Sequence, residues 1–144
     1  MRIETWTDDA GRRWRVHIPE TRRERRRGLN AFDTLPAGCG LFLRRCRSVH
    51  TFGMRFAIDV VGLDGHRIAR RIVAVRPGRL LLPRPGVRHT LELPNGSGVE
   101  VGTSFRVVDG QGSTSDTVPS RRRTRGRGSS PGTEARTTSV ARDR

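Results

Sequence analysis

After residue 110 the chain contains no Leu, Ile, Met, Phe or Trp, and Ser, Thr, Gly, Pro and Arg dominate to the last residue, Arg144. Such a segment cannot bury enough apolar surface to offset the entropy lost on ordering. Any core must therefore be built from residues 1–110, with residues 111–144 expected to be a disordered basic tail. A body of that size buries roughly 65% of the surface its unfolded chain exposes, enough for one cooperative core.

Within the body the apolar period is two. Trp14, Val16 and Ile18 alternate with Arg13, Arg15 and His17, the pattern of a half-buried strand. Ile3–Thr7 is placed to pair with it across the Asp8–Gly11 turn. One helix is legible: Thr21 and Glu24 form a capping box, Arg22–Arg27 follow, and Gly28 provides a left-handed stop. Asn30–Leu35 offers a further helical turn. Further strands are expected at Leu41–Leu43, Phe56–Leu63, Ile68–Val75, Val87–Leu93 and Phe105–Val108, punctuated by Asp64-Gly65, Pro77-Gly78 and Asn95-Gly96. The expected fold is a single mainly β (α+β) domain with one or two short helices, a compact barrel or sandwich.

The charge is large but uninformative by itself. The formal net charge is +15, and all 29 basic residues are Arg. Solvated sites accept either cation, so a GC-biased codon supply explains the absence of Lys better than selection for a polyanion. Without Lys, no Schiff-base or Lys general-base chemistry is available. The body carries 21 Arg against 11 acidic residues, the tail 8 against 3. Arg121, Arg122, Arg123, Arg125 and Arg127 could attract nucleic acid or an anionic surface non-specifically. Five such phosphate contacts give a salt slope of at most about −4. Neither tail nor body shows the interleaved aromatics of a dedicated nucleic-acid module.

Asp59 is the residue most in need of explanation. It interrupts the apolar run Phe56–Leu63, and a buried carboxylate costs several kcal/mol unless paired or hydrogen-bonded. An Arg or backbone N–H groups must satisfy it. A structural anchor is the favoured reading; the functional alternative sets Asp59 at a cleft with His50 and Arg55. Phe52, Met54, Arg55 and Asp59 form the candidate ligand-contact set, although Phe52, Met54 and Phe56 also read as one buried strand face. Cys39, between Gly38 and Gly40, is a possible thiolate but reads more simply as small core filler. No catalytic residue is assigned; Asp59, His50 and Cys39 are the candidates for a small hydrolase- or transferase-like enzyme. Glu92, in Leu91-Glu92-Leu93, is expected to pair with a neighbouring Arg.

Other chemistry is not indicated. Histidine and cysteine spacings match no zinc motif, and no nucleophile elbow or phosphate loop occurs, so no metal and no cofactor are expected. No apolar run is long enough for a transmembrane helix, and MRIETWTDD has no signal-peptide core, so a cytoplasmic location is expected; a monomer is the expected state.

Several spaced blocks then agree with a known family in order: Glu24–Leu29, Gly40–Phe42, His50–Met54, Ile58–Val61 with Leu63-Asp64, and Leu91–Gly96. Over residues 14–108 the chain resembles the prokaryotic family called domain of unknown function 192. The resemblance implies a small, strand-dominated single domain and no established activity, cofactor or substrate. It also implies departures: Gly53 stands where many relatives have Trp, Gly62 where a bulky residue is usual, and Gly98–Val108 is shortened. Relatives often carry an export or lipoprotein signal. The function expected is that of a non-enzymatic binding or accessory domain with an unknown ligand or protein partner.

Overall fold

The computed structural model describes residues 1–108. The tail and its arginines, Arg121, Arg122, Arg123, Arg125 and Arg127, lie outside them. Among the described residues there are nine strands: β1 (Arg2–Asp8), β2 (Arg13–Ile18), β3 (Cys39–Leu43), β4 (Val49–His50), β5 (Ile58–Leu63), β6 (Ala69–Val75), β7 (Leu80–Leu81), β8 (His89–Pro94) and β9 (Phe105–Val108). Seven of them form one sheet in the order β6-β5-β8-β3-β2-β1-β9, and β4 pairs with β7 in a two-stranded ribbon. The large sheet curls into a half-barrel. Its two margins approach at the bridge Ile68↔Ser104, reinforced by the Ala69 amide donating to the Thr103 carbonyl at 2.8 Å.

The first hairpin follows its sequence pattern. Trp6 pairs with Trp14 across β1 and β2, and both rings are buried. The helix α1 (Arg22–Arg27) starts at the full Thr21/Glu24 capping box and ends at Gly28, whose φ of 48° lies in the region glycine tolerates. The extra turn falls earlier than expected, as a 3-10 turn over Gly28–Ala31, because Leu29 is drawn into the core. Strand β5 begins at Ile58, two residues later than the apolar run. Phe52, Met54 and Phe56 do not form a strand face: they lie in a turned segment, with Gly53 at φ 80° and Phe52 54% exposed.

Two apolar clusters occupy opposite faces of the sheet. Trp6, Trp14, Val16, Phe42, Val61, Leu63, Leu91, Leu93 and Phe105 fill the concave face. Leu29, Leu35, Leu41, Val49, Ile58, Val60 and Val75 fill the other, beneath the 3-10 turn and the ribbon. Strand β5 is buried along its whole length because both its faces are covered, which is why its sequence is nearly continuously apolar. Alternation does the sorting: Ile58 and Val60 face one cluster, Val61 and Leu63 the other.

Two glycines permit this packing. A Cβ on Gly40 would lie 2.8 Å from Leu93 Cδ2, and one on Gly62 2.8 Å from Val87 Cγ2. Among the described residues, no helix is long and apolar enough to cross a membrane.

Candidate functional site

The neighbours of Asp59 answer the question its sequence poses. Its carboxylate is 7% exposed and accepts two hydrogen bonds from Ser97, from the amide at 2.9 Å and from Oγ at 2.8 Å. Among the described residues, no arginine forms a hydrogen bond or ion pair with it. Arg12 instead donates from Nη1 to the Ser97 carbonyl at 3.0 Å and from Nε to Asp8 at 2.7 Å. The buried Asp8 also accepts from Trp14 Nε1 and from the Ala10 and Arg12 amides. Burial raises the Asp8 pKa, but the Trp14 and Arg12 hydrogen bonds with the Arg12 charge outweigh it and hold the carboxyl below its ordinary range. Trp14, Asp8, Arg12, Ser97 and Asp59 thus make one closed network at an end of the half-barrel.

A different carboxyl faces a cavity. Glu92 is 4% exposed, sits opposite Leu41 on β3 and Val60 on β5, and so projects from the face opposite to Asp59. Among the described residues it has neither an ion pair nor a side-chain hydrogen bond, contrary to the expectation of an Arg partner. The α1 arginines that could have reached it stand at the rim of the cavity instead. Burial pushes its pKa up to about 8, so the carboxyl is protonated at neutral pH and can donate.

The cavity above Glu92 has a volume of about 160 Å³. Arg25, Arg26 and Arg27 come from α1, Leu29 and Asn30 from the 3-10 turn, Cys46 and Ser48 from the β3–β4 link, and His50 and Met54 from β4 and the turn after it. The ribbon fixes this wall through Thr51, which is fully buried. Its hydroxyl donates to the Arg76 carbonyl at 2.7 Å and accepts from the Arg79 amide at 2.9 Å. Asn30 Nδ2 donates to the Phe52 carbonyl at 3.2 Å, tying the 3-10 turn to the same segment.

The sequence candidates are thus distributed. His50 and Met54 line the Glu92 cavity. Phe52 stacks on the exposed His50 ring, centroids 5.5 Å apart at 19°. Arg55 forms an exposed pair with Asp33. Cys39 is half-buried and packs against the second apolar cluster. Asp59 joins none of them. Cys46, whose spacing from Cys39 matches no zinc knuckle and to which no other role was assigned, donates from Sγ to the Ser48 carbonyl at 3.0 Å. Burial, and then the Glu92 carboxyl, keep its thiol above the ordinary pKa and hence protonated at neutral pH.

The family model described as an uncharacterized ACR, DUF192, matches residues 4–106. The chain belongs to the DUF192 family. Two solved structures share the fold of this family member. A protein of unknown function from Novosphingobium aromaticivorans superposes with a TM-score of 0.61 at 19% identity, covering 72% of this chain and 83% of that one. A Sinorhizobium meliloti protein described as a candidate transcription regulator superposes with a TM-score of 0.62 at 17% identity, covering 73% and 92%. At these identities the likeness carries the fold alone. No curated protein matches the chain significantly.

Proposed function

We propose that this DUF192 domain is a non-enzymatic binding module whose ligand enters the Glu92 cavity. One observation carries the reading: among the described residues the Glu92 carboxyl has no hydrogen-bond or ion-pair partner, and it faces a cavity bordered by Arg25, Arg26 and Arg27. A ligand offering a hydrogen-bond acceptor can pair with the protonated Glu92 carboxyl where it meets the cavity, while Arg25 to Arg27 at the rim favour an electron-rich group. The volume admits only a few heavy atoms, so the occupant is the polar end of a small molecule or of a partner's side chain.

A perturbed carboxyl in a cleft also fits a general acid. Catalysis needs a nucleophile or base within reach, and the Cys46 thiol is held protonated. The pairing of Asp59 with His50 gains no support from the geometry, since Asp59 is engaged by Ser97 on the other face of the sheet. Weak, non-specific contact of the tail with nucleic acid or anionic surfaces stands beside the binding reading and requires no pocket.

The test is a fragment screen followed by amide shifts in the labelled protein. Ligands of the module shift Arg25–Asn30, Cys46–His50 and Glu92 together, Glu92→Gln preserves their binding, and Glu92→Leu abolishes it. Hits that bind Glu92→Leu equally well would refute the assignment.

A further inference from the structure

A second cleft, of about 390 Å³, opens at the end of the half-barrel opposite the Arg12 network, on the concave face. Trp6, Phe42 and Ile18 form its floor, and Arg2, Arg44, Arg67 and His89 stand around it. We propose that this mouth binds the phosphate group of a small molecule.

The arginines are positioned rather than merely numerous. Arg67 holds its guanidinium 5.1 Å from the centroid of the Trp6 ring. Its backbone is left-handed, φ 60°, inside a turn that Asp64 fixes by accepting from the His66 amide at 2.8 Å and the Ile68 amide at 3.0 Å. Arg44 stands at the end of β3 across the opening. Neither Arg44 nor Arg67 has a carboxylate partner among the described residues. The acid in the cleft, Glu4, is occupied by the Trp6 indole N–H at 2.8 Å and by Arg2 at 3.0 Å.

His89 completes the ring of donors. Its Nδ1 accepts from the Arg45 amide at 3.0 Å, which leaves the proton of a neutral imidazole on Nε2. Burial first, then the charges of Arg88, Arg44, Arg67 and Arg45, hold its pKa below the ordinary value. So the mouth presents two uncompensated guanidiniums and a neutral N–H donor. Two forks presented to one cleft from different turns suit a dianion with several oxygens better than a carboxylate, which a single guanidinium can satisfy. The cleft is wide enough for an organic group beside the phosphate.

The experiment titrates the full-length labelled chain with inorganic phosphate and with phenyl phosphate, at fixed ionic strength and pH. The Trp6 indole and Arg67 Nε signals should shift saturably. The Trp14 indole, bonded to Asp8 at the other end, should stay in place. Arg44→Gln and Arg67→Gln should each weaken binding by about tenfold or more, with the dispersed spectrum of a folded chain retained, and Glu92→Leu should leave it unchanged. Tighter binding of phenyl phosphate assigns a monoester; equal or weaker binding assigns the free ion. The proposal is overturned if shifts never saturate, if they follow Arg22–Arg27 instead of Trp6, or if both Gln variants bind like the parent.

Discussion

Arg12 and Ser97 stand 85 positions apart in the chain, yet the Arg12 guanidinium meets the Ser97 carbonyl at 3.0 Å. Through that contact the turn after β1 and the turn after β8 share one polar network, in which Asp8 and Asp59 are the two buried anions. Ser97 answers the need that the sequence placed on Asp59.

Breaking this network should be costly. Arg12→Ala removes a charged partner from the buried Asp8 and a donor from Ser97. Because Arg12 is itself about one-third exposed, the loss is expected near 2 kcal/mol rather than the larger figure for a fully buried pair. Urea unfolding midpoints check this, with Asp59→Ala predicted to cost a similar amount. The Asp8 pKa is lowered on folding, so its contribution is present above the unfolded value and lost as pH falls through the folded one. Asp8→Asn should flatten the acid limb of the stability profile.

Glu92 works with the opposite sign. Its folded pKa of about 8 lies above the ordinary 4.5, so the native state binds the proton more tightly and stability falls as pH rises between those values. At about 1.4 kcal/mol per unit, the upper limit of that loss is about 4–5 kcal/mol. Glu92→Gln should therefore differ little from the parent at pH 4 and be clearly more stable at pH 9. Thermal midpoints at the two pH values measure it, and equal shifts at both would contradict the assignment.

Gly62 and Val87 share one space. A Cβ at Gly62 would press on both Val87 methyls, at 2.8 and 3.1 Å. Gly62→Ala is expected to cost about 1–3 kcal/mol through overpacking. Combined with Val87→Ala the penalties should sum to less than their separate values, and a double-mutant cycle reads the difference.

Removing residues 111–144 tests the basic tail. If it contacts phosphates, DNA affinity falls and the salt slope becomes shallower by up to about 4. An unchanged slope in a filter or anisotropy titration would exclude the tail as the contact.

How legible the molecule was in its sequence depended on distance along the chain. The hairpin, the capped helix and the strands of the large sheet were readable because period-two alternation, a Thr-x-x-Glu box and Gly turns are local signals. The ribbon was not, since β4 and β7 are two residues each and carry no periodicity. Phe52, Met54 and Phe56 mimicked a strand because alternation also arises in a turned segment. Glu92 was expected only as the partner of a neighbouring Arg, not as a residue facing a cavity. Leu91-Glu92-Leu93 reads as a strand with a wet face, and only the α1, 3-10 and ribbon layer laid over that face makes the carboxyl buried. His50 and Met54 were picked out for their residue types, whereas Cys46 and Arg25–Arg27 join the cavity through tertiary packing.

The alternation of β5 and β8 sets Asp59 and Glu92 on opposite sides of a sheet one residue thick. That sheet acts as a partition wall between a structural anchor and the chamber we propose receives a ligand. The chamber can therefore be retailored, by natural drift or by an engineer, without rebuilding the foundations next door.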